Sequence, residues 1–144
     1  MSHYKHVMVA IDGSDESARI VERAVALASG AKLSVIQVFE TLVGNYTYEL
    51  NMGDFEKAQH EFEAEVAKST REMLKAKFPS IHAEDVHFTR GKAAYEIKRL
   101  AESSKVDLLV IGSHGQGAVK AAVLGSTANA VLHGIHCDVF TIRV

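Results

Sequence analysis

The chain has one cysteine, one proline and no tryptophan among its 144 residues. Cys137 alone cannot close an internal disulfide, so folding rests on packing, and the cysteine usage fits a reducing compartment; a cytoplasmic location is expected. Charge of one sign is also lacking: 16 Lys and Arg face 18 Asp and Glu, a formal net charge of −2. That balance provides no basic stripe for nucleic acid and no polybasic membrane anchor, so neither partner is expected. No apolar run reaches the ~20 residues of a membrane-spanning helix, and the opening residues carry no signal-peptide pattern. Gly-x4-Gly-Lys-Ser/Thr is absent, and no Gly-x-Gly-x-x-Gly follows the first apolar run, which argues against a dinucleotide-dependent dehydrogenase. There is no internal repeat, low-complexity tract or linker, so residues 1–144 read as a single domain.

What is present is a soluble globular composition, 47% hydrophobic and 24% charged. Short apolar runs alternate with helical patterns. Val7 to Ile11 reads as a buried strand that ends in Asp12-Gly13-Ser14. Ser14 is the expected N-cap of a helix carrying Ile20, Val21, Ala24, Val25, Leu27 and Ala28, and Gly30 is its expected C-cap. Leu33 to Phe39 is a second strand. Glu40 to Gly53 reads as a loop. From Asp54 a long helix places Phe55, Ala58, Phe62, Val66, Met73 and Leu74 on its apolar stripe, and Glu63 and Arg71 on the solvated face. It stops near Phe78, before Pro79. Val86 to Thr89 alternates apolar and polar, as an edge strand does. A helix over Ala93 to Ser103 follows, then a strand over Val106 to Ile111, a helix over roughly Thr127 to His133, and a last strand from Val139 to Val144. The alternation predicts an α/β fold with an open five-stranded parallel sheet, order 3-2-1-4-5, and helices on both faces. Strands 1 and 4 then lie side by side at the topological switch point, where such sheets bind ligands.

The stretch that organises the chain is Val106 to Ser126, VDLLVIGSHGQGAVKAAVLGS. A buried strand breaks into glycine at Gly112 and Gly115, and Gly125-Ser126 precedes the next helical pattern. Glycine serves where φ is positive or where a ligand must approach the main chain. A serine at a helix start is suited to an anion. Two glycine-lined turns and a helix start therefore read as a phosphate site.

Gly112-x2-Gly115-x9-Gly125-Ser126, with the opening from Tyr4 to Asp12 and the closing strand, resembles the ATP-binding branch of the universal stress protein family. The resemblance spans nearly the whole chain. It implies a Rossmann-like domain of the adenine nucleotide α-hydrolase type that binds ATP and acts as a stress-response module. Val38 matches the position whose backbone meets the adenine edge, with Ala10 and Ile111 beside the ring. Gly112, Gly115, Gly125 and Ser126 match phosphate- and ribose-contacting positions. Thr127 stands where the family more often has an apolar residue. Asp12 matches an aspartate that helps hold Mg²⁺ on the phosphates; a bare carboxylate facing triphosphate requires such a cation. The resemblance also implies a homodimer through the final strand, Val139 to Val144, whose Phe140, Ile142 and Val144 alternate.

Other residues carry weaker signals. His114 is a candidate phosphate or water contact as well as an ordinary loop histidine. Lys120, in the nine-residue spacer, reads first as a solvated lysine. Ser113-His114 with Asp12 contains triad residue types, but neighbours in sequence need not face each other, and no arginine finger or positioned base is evident. No catalytic residue is assigned. His133-x2-His136-Cys137 resembles a zinc box without a fourth ligand and reads as a structural turn. Two alternatives stay open: a slow ATPase or autophosphorylating protein, and a dimeric stress protein that binds no nucleotide.

Overall fold

A computed structural model describes residues 3–40, 52–114 and 124–144. Its elements, in chain order, are β1 His6–Ile11, α1 Ser17–Ala28, β2 Lys32–Phe39, α2 Met52–Lys77, β3 Val86–Arg90, α3 Ala93–Ser103, β4 Leu108–Gly112, α4 Ser126–Leu132 and β5 Asp138–Ile142. One 3-10 turn, Ala83–Asp85, precedes β3. All strand pairings are parallel, in the order β3-β2-β1-β4-β5. This is the expected doubly wound sheet, with β3 at one edge.

Period-two alternation splits the central strands between two cores. Val7, Val9 and Ile11 of β1 point one way with Val35, Leu108 and Val110, and are covered by Ile20, Val21, Ala24 and Ala28 of α1 and Leu74 of α2. Met8 and Ala10 point the other way with Ile36, Leu109 and Ile111, under Ile97 and Ala101 of α3 and Ala128 and Val131 of α4. Both faces of β1 and β4 are buried, so these strands read as unbroken apolar runs rather than alternating ones.

Three local expectations are corrected. Ser14 is not the N-cap of α1. Its own N–H donates to Asp12 Oδ1 at 2.9 Å, closing an Asx turn, and its carbonyl accepts from Ser17 N, so the helix starts three residues later without a side-chain cap. The left-handed turn that ends α1 spans Ser29 (φ 40°) as well as Gly30 (φ 96°). The stripe assigned to α2 is also shifted. Leu74 is buried as expected, but Ala58 is exposed and Phe62 is 54% exposed, while the polar residues Gln59 and Thr70 are buried. The N-terminal half of α2 stands over the carboxyl ends of the strands rather than over their apolar faces, and its inner side is polar for that reason. Further along, Arg71 lies 4.7 Å from the ring centre of Phe88, which stacks on Phe39.

Candidate functional site

The carboxyl ends of β1 and β4 meet with Ala10 beside Ile111 in register. Above them opens a cavity of about 730 Å³, within the range of small-molecule sites. Ala10, Val38 and Ile111, taken together as the base-side residues, line it, and all three point to the α3/α4 side of the sheet. Asp12, Gly112, His114, Ser126 and Thr127 line it too. Gly125 is buried immediately before Ser126. Gly115 and Lys120 lie outside the described residues, as do residues 41–51, most of the expected Glu40 to Gly53 loop.

The β1–β2 ladder ends at Ile11 opposite Gln37. Val38 and Phe39 therefore run one and two residues past the last β1 pair, and both line the cavity. This is where a backbone edge can meet a planar ring from the side.

Asp12 follows β1 directly. Its Oδ1 accepts from Ser14 N at 2.9 Å and lies 3.4 Å from the Ser17 hydroxyl, so the ordinary turn role of this carboxylate is present in the structure. Gly13 (φ +81°) continues the turn, and a Cβ there would come within 2.8 Å of Gln37 Nε2. Of the two roles that glycine can serve here, positive φ is not the one at Gly112. What requires glycine is space, since a Cβ would lie 2.7 Å from Ile20 Cδ1.

Ser113 ties the loop ends together. Its N–H donates to Ile142 O, its carbonyl accepts from Gly125 N, and its hydroxyl oxygen accepts from Val144 N at 3.2 Å. The same hydroxyl lies 3.2 Å from His114 Nδ1. The two neighbours, which the sequence left free to face each other or not, do meet; Ser113 is 4% exposed and its oxygen accepts from Val144 N. Gly125, not Ser126, occupies the N-cap of α4, and Ser126 is the first helical residue.

Sequence reasoning missed the wall opposite α4. Gln37 and Glu40 of the β2 end, and Gln59, Phe62, Glu63 and Val66 of α2, all line the cavity. Thr70 Oγ1 donates to Gln37 Oε1 at 2.7 Å. Gln59 Nε2 donates to Glu63 Oε2 at 2.7 Å, and Arg90 forks onto both Glu63 oxygens at 2.9 and 3.0 Å. Burial pushes the Glu63 carboxyl up, but hydrogen bonds from Arg90 and Gln59 outweigh it and hold the group below the usual carboxylate range. Gln37, a large polar residue inside the largely apolar LSVIQVF, was the available signal.

At the opposite end of the strands, His136 Nε2 bonds Val106 O at 3.1 Å and burial pushes the Cys137 thiol up. No cluster of three or more metal-ligating side chains occurs among the described residues. No helix among them is long and apolar enough to cross a membrane.

This doubly wound sheet, with a cavity over adjacent strand ends at its switch point, defines a Rossmann-like domain. A family model described as the universal stress protein family matches residues 3–143, and the chain belongs to that family. Universal stress protein A homolog 1 of Coxiella burnetii is 35% identical over 143 residues, covering 97% of this chain and 96% of the relative. Homolog 2 of the same organism is 32% identical, covering 100% and 98%. The fold is similar to that of universal stress protein UspA from Lactobacillus plantarum, at TM-score 0.82, 22% identity and coverage of 99% and 100%. It is also similar to a universal stress protein solved in complex with cAMP, at TM-score 0.62, 27% identity and coverage of 99% and 98%.

Proposed function

We propose that residues 1–144 form one domain that binds an adenine nucleotide at the carboxyl ends of β1 and β4 and acts as a regulatory stress-response module. The observation that carries this reading is convergence. Asp12, Val38, Gly112, His114 and Ser126, drawn from four places in the chain, line one cavity beside the apolar floor of Ala10 and Ile111. Support also comes from the structurally similar family member crystallised with cAMP.

In this reading the ring lies on Ala10, Val38 and Ile111, and the phosphates lie toward Gly112, Gly115, Gly125, Ser126 and Thr127. Mg²⁺ would sit between the phosphates and Asp12. Asp12 would supply one carboxylate, and phosphate oxygens and water would fill the remaining positions. This is how Mg²⁺ is ordinarily held in nucleotide sites. The bound Ser113 hydroxyl and the lack of an assigned base favour binding over turnover. A homodimer through the β5 edge and a cytoplasmic location belong to the same proposal. The last strand ends at Ile142 rather than at the expected Val144, and both Ile142 and Val144 pack on their own core. Phe140 is 37% exposed and is left to make the apolar contact.

Equilibrium dialysis with ATP, AMP and cAMP, with and without Mg²⁺, tests the reading. Wild type should bind ATP–Mg²⁺ with roughly micromolar affinity, and Asp12→Asn should lose most of the Mg²⁺ dependence. Absence of binding to all three nucleotides at millimolar concentration would refute it.

A further inference from the structure

We infer that Glu40, at the tip of β2, is a specificity-determining residue that reads the hydrogen-bond-donor end of the bound nucleoside; the inference rests on the nucleotide reading above. Glu40 lines the cavity two residues beyond Val38. Its bonding partner Ala93 packs with Val38 on the core of Ala10 and Ile111. Its side chain is held in place: Oε1 accepts the Ala93 N–H at the start of α3 at 3.0 Å, and its backbone carbonyl lies 3.4 Å from Gln59 Nε2. Ala93 lines the same cavity. The carboxylate is thus fixed at the rim of the base-side lobe, on the opposite wall from Ser126 and Thr127.

This gives the cavity a polarity. A carboxylate accepts hydrogen bonds and repels phosphate. Glu63 on the same wall is already paired with Arg90, so it is Glu40 that makes the β2 end favour N–H and O–H donors and disfavour anions. A nucleotide offers such donors in two places, the exocyclic amine of the base and the ribose diol. Both are at the end away from the terminal phosphates. Glu40 therefore orients the ligand as well as discriminating its non-phosphate end. Sequence reading placed this residue only as the start of a loop.

The test is binding of ATP, 2′,3′-dideoxy-ATP and purine riboside triphosphate to wild type, Glu40→Gln and Glu40→Ala. If Glu40 were a bystander acid, removing its charge would tighten binding of every triphosphate by relieving repulsion. As a donor reader its loss weakens ATP binding by about tenfold or more. Wild type should discriminate by a similar factor against whichever analogue lacks the donor that Glu40 reads: the dideoxy form for the diol, the purine riboside for the amine. Glu40→Ala should lose that discrimination. Glu40→Gln keeps a carbonyl for Ala93 N, so its ligand-free melting temperature should match wild type and separate binding from folding. Unchanged or tighter ATP binding by both variants overturns this inference and leaves the nucleotide reading standing. No binding by wild type overturns both.

Discussion

A Cβ on Gly112 would lie 2.7 Å from Cδ1 of Ile20, which makes the end of β4 and the face of α1 mutually exclusive claimants on one small volume. The glycine is there for close approach and not for a left-handed turn. Gly112→Val should destabilise the ligand-free protein by about 1–3 kcal/mol through overpacking and remove nucleotide binding. Adding Ile20→Ala should recover part of the stability, read by urea titration, but none of the affinity. Full recovery of affinity would mean that Gly112 matters only to packing.

Thr89 carries the one buried side-chain oxygen or nitrogen without a hydrogen-bond partner among the described residues. Thr89→Val keeps the shape and removes the unmet hydroxyl. The variant should be more stable than wild type by about 1 kcal/mol, measured as a higher urea midpoint at unchanged slope. A lower midpoint would reveal that the hydroxyl finds a partner in solution.

Gln37 and Thr70 behave oppositely. The hydroxyl of Thr70 satisfies Gln37 Oε1 at 2.7 Å, and both residues are almost fully buried. Thr70→Val leaves the amide oxygen unmet and should cost about 1–3 kcal/mol. Chemical denaturation checks this; a cost near zero would show that water enters to replace the donor.

Asp107 joins β4 to β1 by accepting from Lys5 N and His6 N, both at 2.9 Å. Burial raises its pKa, and the backbone donors of Lys5 and His6 more than offset this, holding the carboxyl below its ordinary value. A depressed carboxylate contributes stability above its unfolded value, near pH 4, and loses it as pH falls through the folded value. Asp107→Ala should therefore be destabilised at pH 7, and the gap to wild type should narrow below pH 4. A gap independent of pH would contradict the assignment.

The sheet was legible because its signals are local and repeated. Buried apolar runs from Val7 and Leu33, and the alternation at Val86-His87-Phe88-Thr89, gave strand order and edge together. Ala93–Ser103 formed as read, since its apolar spacing and Gly91 agree. The α4 side of the cavity was legible because glycine spacing leaves a mark. The α2 wall was not. Gln59, Glu63 and Val66 look like an ordinary mixed helix surface, and only the tertiary path of α2 across the strand ends turns them inward. There Glu63 meets Arg90 of β3, a partner distant in sequence.

The most direct test of the central claim is thermal unfolding of the dialysed protein with and without ATP and Mg²⁺. A ligand at about 100 times its Kd stabilises by roughly 2.7 kcal/mol, which for a domain of this size raises Tm by several degrees. The account predicts that shift for wild type, its reduction without Mg²⁺, and its absence in Gly112→Val. An unshifted wild-type transition at millimolar ATP would contradict it and make the protein a stress-family domain that binds no nucleotide.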